Sequence, residues 1–192
     1  RRLVAQELRI SAAGLKSGVL DDGDRSALLG GAAKLRGLPI WLNQVATTLA
    51  ELSDEVAHFA VSPALGLVIV DYLQLVRTLG REGRRIEVEA VSAGLKALAL
   101  RYRVPVVCAS SLARGGKGKD GDRAGRRPTV DLLRESGELE HDADIILLLH
   151  RAFEATKTEC VLAKNRDGRV GDVELLFRPD WVSFDEVAQR DG

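Results

Sequence analysis

Asp71 closes a run of four apolar residues, Leu67-Val68-Ile69-Val70. A run so short and β-branched, without alternation, reads as a strand buried on both faces. A carboxylate where such a strand emerges can hold Mg²⁺, directly or through water, beside nucleotide phosphates. A strand-end Asp that only caps the next loop looks the same, so its neighbours decide. Ser110-Ser111 follow a second apolar run, Val104 to Ala109, which Pro105 enters. Ligands of open parallel sheets bind outside the carboxyl ends of such strands. Asp131-Leu132-Leu133-Arg134-Glu135-Ser136-Gly137 is a third group. There Arg134 can reach a phosphate, and Ser136 and Gly137 can offer backbone N–H groups at a helix start; a capped helix with a surface ion pair reads equally well. A fourth is Lys164-Asn165-Arg166-Asp167-Gly168. A Lys and an Arg two residues apart on a strand point the same way. At a hairpin tip they can reach a neighbour's nucleotide as an arginine finger does, although an ordinary basic turn has the same composition.

The elements that must position these groups alternate. Residues 1–10 read as the end of a helix, and Ser11 and Asp21 each cap a short helix. The second should run to about Leu35 with Leu28, Ala32 and Leu35 on one face. Pro39-Ile40-Trp41-Leu42 reads as a short strand. Thr48-x-x-Glu51 is a capping-box pattern, followed by Leu52, Val56 and Phe59 at helical spacing. After the Asp71 strand and a basic loop comes a helix from about Glu87 to Arg101, its apolar stripe Val88, Val91, Leu95 and Leu98. Ile145 to Leu149 is a further buried strand. Glu159–Ala163 and Asp172–Phe177 flank Asp167-Gly168 and read as a hairpin. Strands alternating with amphipathic helices imply a mostly parallel sheet with helices on both faces, and the hairpin adds antiparallel strands at one edge.

A chain of 192 residues fits one domain. It can bury roughly 70% of its unfolded surface, so it needs no disulfide or metal staple. Formal net charge is zero, but the charge is unevenly spread. Residues 77–85 hold Arg77, Arg81, Arg84 and Arg85 against one Glu, and residues 114–127 hold six basic residues against two Asp. Basic, Gly-rich loops of this kind can track a phosphate backbone, or can be solvated surface. They contain no aromatic residue, so base stacking is not their obvious mode. Cys108 and Cys160 lack metal-site spacing and suit a reducing cytoplasm. No stretch approaches the ~20 apolar residues of a membrane span. His58, His141 and His150 are scattered, without ligand spacing, and read as structural.

Taken in order, LVIVDYLQL, VSAGLKALALRYRVPVVCASSLAR, RRPTVDLLRESGELEHDADIILLLHR and VLAKNRDGRVGDVELLF resemble the carboxyl-terminal motor domain of the bacterial replicative DNA helicase, the DnaB family. The resemblance runs from about Arg2 to Phe184. It implies an α/β fold with a RecA-like P-loop NTPase core, residues 1–192 forming a single partial domain of it. It also implies ATP and Mg²⁺ as cofactors, a homo-hexamer that moves along single-stranded DNA, a primase and a helicase loader as partners, and a place in the cytoplasm at the replisome. By the same resemblance Asp71 matches the Walker B carboxylate. Arg134, Glu135 and Gly137 match a loop that touches DNA in the central channel, and Arg77, Arg81, Arg84 and Arg85 belong to the other channel loop. Lys164 and Arg166 match the pair offered to the adjoining subunit's ATP. Ser111 stands where the family usually has a Gln that senses the γ-phosphate, and its side chain is too short for the same reach.

No G-x-x-x-x-G-K-[ST] occurs in these residues. In the family the P-loop and the catalytic Glu lie just upstream of the position matching Arg1. Without that loop there is no amide cradle for the phosphates and no Lys to neutralise them. The N-terminal P-loop strand is therefore expected to be absent from the sheet, and these residues alone are expected to bind Mg-ATP poorly and not to hydrolyse it. A non-catalytic fragment that binds single-stranded DNA or docks on a helicase is the alternative. A recombination ATPase of the RadA type, which also has a K-N-R-x-G segment, fits less well because D-Y-L-Q-L and R-E-S-G favour the helicase.

Overall fold

The computed structural model describes residues 1–61, 65–78, 83–112, 127–133, 137–152 and 155–187. Arg81, Arg134 and Glu135 lie outside them, as do Ser136, most of the basic stretch 114–127 and the side chain of Arg84. The chain divides into two compact units: Arg1–Trp41 with Leu149–Val161 and Gly171–Gly192, and Leu42–Leu148 with Leu162–Val170.

The first unit opens with three helices, α1 (Arg2–Leu8), α2 (Ala12–Ser17) and α3 (Asp22–Arg36). Local hydrogen bonds set their starts. Ser11 Oγ accepts from Gly14 N at 3.0 Å, and Asp21 Oδ1 accepts from Asp24 N at 2.7 Å. Each bond satisfies one N–H that a helix start leaves without a partner. Ala5 and Ile10 are buried, while α3 contributes no fully buried residue. Pro39–Leu42, expected as a strand, has no strand pairing, and Ile40, Trp41 and Leu42 are exposed. A strand needs a partner, and apolar composition alone supplies none.

In the second unit α4 (Leu49–Ala60) carries the full capping box: Thr48 Oγ1 accepts from Glu51 N, and Glu51 Oε2 accepts from Thr48 N at 2.9 Å. The backbone N–H groups of Thr47 and Thr48 hold the Glu51 carboxyl below its usual range. Next come β1 (Val68–Val70), a 3₁₀ turn at Leu73–Leu75, α5 (Arg84–Tyr102) and β2 (Val106–Cys108). A further 3₁₀ turn (Val130–Leu133) precedes α6 (Gly137–Asp142). The start of α5 lies at Arg84 rather than about Glu87. Its N-cap, Gly83, makes no side-chain cap bond, so no capping residue marks the start. The expected stripe Val88, Val91, Leu95 and Leu98 is buried along α5. Val88, Val91 and Leu95 join Val70, Leu73 and Val76 in one core cluster.

Strands β1 and β2 pair in parallel, Val70 opposite Cys108. A four-stranded sheet runs β3 (Ile145–His150), β4 (Lys157–Asn165), β5 (Gly171–Arg178), β6 (Ser183–Glu186), with β5 and β6 antiparallel. The β4–β5 hairpin is where it was expected. Burial on both faces is not found. Ile69 of β1 and Val107 of β2 are exposed, and β3 alternates, Ile146 and Leu148 buried, Ile145, Leu147 and Leu149 exposed. One face of each is buried, that of β1 and β2 on the core cluster, and among the described residues the other face is exposed. None of the described helices is long and apolar enough to cross a membrane.

Candidate functional site

Asp71 stands exposed where β1 ends, followed by a cis peptide bond to Tyr72. Parallel pairing sets the carboxyl end of β2 beside it. Ala109 N donates to Val70 O at 2.9 Å, and Leu73 N donates to Ala109 O at 2.8 Å. Burial pushes the Cys108 thiol up to about 11, and the Asp71 charge adds to the shift. The carboxylate is thus close enough to act on the end of the next strand. A single exposed carboxylate suits Mg²⁺, which keeps several waters and takes one or two carboxylates plus substrate phosphates.

Ser111 lies next to Asp71's turn, as expected from its place after β2, but its main chain is already engaged. Gln74 Nε2 donates to Ser110 Oγ at 2.9 Å and to Ser111 O at 3.2 Å, and Ser111 N donates back to Gln74 Oε1 at 3.2 Å. Gln74 therefore locks the two strand ends together. Sequence reasoning passed over it, although it stands three residues after Asp71. The cleft lined by Gln74, Ser110, Ser111 and Leu132 measures about 10 Å³. That is space for one water, not a nucleotide.

Lys164 and Arg166 do point the same way. Both fold over the carboxyl end of α6. Lys164 Nζ donates to Glu140 O at 2.5 Å and His141 O at 3.3 Å, and Arg166 Nη2 donates to His141 O at 3.3 Å. The last carbonyls of a helix have no intrahelical donor and carry partial negative charge, so cations settle there. Arg166 Nη1 also lies 3.3 Å from Asp144 Oδ1, and Lys96 Nζ of α5 donates to Asp144 Oδ2 at 2.5 Å. The Lys96 hydrogen bond, with the nearby Arg166 and Lys164 charges, holds the Asp144 carboxyl below its usual range. Two residues earlier, Asp142 Oδ2 accepts from the buried Ser92 Oγ at 2.7 Å. Asp144, Asp142 and Lys96 were missed because their roles depend on partners far away in the chain.

Other expected site residues are more scattered. Arg77 is exposed, and its backbone bridges to Thr48. Arg85 belongs to the first turn of α5, where its Nε donates to Glu89 Oε1 at 2.9 Å. Gly137 is exposed and is the first residue of α6. Glu138, His141 and Asp142 bring three ligand-type atoms within 4.8 Å of one another on α6, mostly exposed. No second feature marks them as a metal site.

Comparison with known proteins follows the same course along the chain. The model of the DnaB-like helicase C-terminal domain matches residues 1–186. The chain is 32% identical to the replicative DNA helicase DnaB of Geobacillus stearothermophilus, over 98% of its own length and 43% of that protein's. It is 34% identical to a probable plasmid replicative DNA helicase of Chlamydia psittaci, over 92% of its length and 39% of that protein's. A solved ATPase domain superposes with a TM-score of 0.84 at 27% identity, covering 97% of this chain and 69% of that one. A solved DnaB-like replicative helicase, described with its interactions with primase, gives the same score over 48% of its chain. The chain spans less than half the length of these curated relatives.

Proposed function

We propose a function from one premise: the chain belongs to the DnaB-like helicase C-terminal domain family. Its 192 residues act as part of an ATP-driven motor that unwinds duplex DNA by moving along single-stranded DNA during replication. Asp71 holds Mg²⁺ at the carboxyl end of β1. Lys164 and Arg166 serve the nucleotide of the adjoining subunit in a homo-hexamer. Arg77, Arg81, Arg84 and Arg85, with Arg134, Glu135 and Gly137, meet the DNA backbone. Primase and a loader are the partners at the replisome.

The observation that carries this reading is the placing of Asp71. It is an exposed carboxylate at the end of a parallel strand, with the neighbouring strand's Ser110-Ser111 fixed beside it through Gln74. Bound ATP would supply the phosphoryl group whose release drives movement. The contribution of these residues is to place a carboxylate at its metal and two cations at a subunit boundary. They offer no phosphate cradle. The chain on its own therefore does not turn over ATP. Ser111, its main chain held by Gln74, takes the place of the family's γ-phosphate sensor with a side chain too short for the same reach.

The test is DNA-stimulated ATP turnover by the full-length helicase that contains these residues. Asp71→Ala should abolish it while leaving DNA binding in place, and retained turnover would remove Asp71 from the metal site.

A further inference from the structure

The Asp144 carboxylate uses its two oxygens for two different cations. Oδ2 accepts from Lys96 of α5 at 2.5 Å, and Oδ1 lies 3.3 Å from Arg166 Nη1. The backbone repeats the second link, since Arg166 N donates to Asp144 O at 2.9 Å. His141 O takes Arg166 Nη2. A long side chain at the start of the β4–β5 connection thus leaves its strand held at backbone and guanidinium alike. The anchor points belong to α6 and the two residues after it. They are in turn tied to α5 twice, by Lys96 on Asp144 and by Ser92 on Asp142. Arg166 keeps 51% of its side chain exposed in this arrangement, so the clamp fixes it without covering it.

We propose that Asp144 is a positioning residue for Arg166, orienting the guanidinium toward the subunit boundary with Lys96 as its counterweight. The proposal rests on the trans-acting role of Arg166 given above. An arginine fork held in place loses less freedom on meeting a phosphate. A group displaced by about 1 Å from its working position can cost on the order of 100-fold in rate. Because the contact with ATP would be made by Arg166 and not by Asp144, loss of the carboxylate should act through turnover rather than through nucleotide affinity.

Two measurements test it. In the full-length helicase, Asp144→Asn should lower kcat roughly 10- to 100-fold with KM for ATP unchanged. Asp144→Glu should restore part of the loss. In an Arg166→Ala background, Asp144→Asn should have no further effect. In the 192-residue chain, the NMR signal of the Arg166 Nε–H group should shift and gain mobility in Asp144→Asn. An unmoved Arg166 signal overturns the positioning role whatever the kinetics. A kcat loss that persists undiminished without Arg166 overturns it too, since the carboxylate would then act by another route. If the Arg166 signal responds but Arg166→Ala leaves turnover intact, the positioning stands and the trans reading fails.

Discussion

Replacing Arg166 by alanine should cost the fold little and the assembled helicase most of its turnover. On the structural side, the guanidinium makes an ion pair with Asp144 at 3.3 Å, both side chains 51% exposed, and a hydrogen bond to His141 O at 3.3 Å. Exposed pairs of this kind contribute about 0–1 kcal/mol. The unfolding midpoint of a chain this size should then fall by about 4 °C at most. On the functional side, an arginine offered across a subunit boundary is worth about 10³–10⁵ in rate. The assay is ATP hydrolysis with single-stranded DNA, at matched oligomeric state by light scattering. Mixing Arg166→Ala with Asp71→Ala subunits gives the decisive arm. A boundary works only if the subunit holding nucleotide keeps Asp71 and its neighbour keeps Arg166. Random assembly in equal parts leaves about one quarter of boundaries with both, for a ring in which every boundary pairs the same two surfaces. Activity should recover toward that fraction from two inert parents. No recovery on mixing would refute the trans role, and a large loss of stability in Arg166→Ala would refute the weak-clamp argument.

Three further outcomes are expected. Arg134→Ala should weaken single-stranded DNA binding regardless of sequence and reduce the salt slope by about one; an unchanged slope would take Arg134 off the phosphates. Cys108, pushed from 9.0 to about 11 by burial and by Asp71, should be alkylated about 10-fold more slowly at about pH 8 than an unperturbed thiol, the smaller thiolate fraction being partly offset by a more nucleophilic thiolate. Since the folded value is raised, the stability this neutral thiol provides is intact below pH 9.0 and lost as pH climbs through about 11. Ordinary alkylation rates in the native chain would contradict this. Leu95→Ala, in the cluster with Val70, Leu73 and Val91, should destabilise by about 2–5 kcal/mol in denaturant unfolding. A loss under about 1 kcal/mol would show that α5 does not anchor the core.

What could be read from the sequence divides along the range of the interactions. Caps at Ser11, Asp21 and Thr48 are bonds spanning three residues, so their spelling announces them. The α5 stripe was legible because a core-facing helix must repeat its apolar residues. The start of α5 was not, because Gly83 makes no side-chain cap. Pro39–Leu42 has the composition of a strand without a partner. Exposure of Ile69, Val107 and Leu147 was equally hidden, since apolar runs do not say what covers them. At the site, Asp71 and the common direction of Lys164 and Arg166 followed from strand geometry. Their settings did not: Gln74 meets Ser111 across 37 positions, and Lys96 meets Asp144 across 48. Such pairs exist only once the chain has folded.

The proposed function has these residues working as part of a larger ATP-driven motor on DNA and not alone. ATP hydrolysis, with and without single-stranded DNA, should be measured side by side for the 192-residue chain and for the full-length helicase that contains it. Turnover stimulated by DNA is expected in the longer protein, and none in the chain beyond that of its Asp71→Ala variant. Hydrolysis by the chain above that level, or a longer protein inert with DNA present, would contradict it.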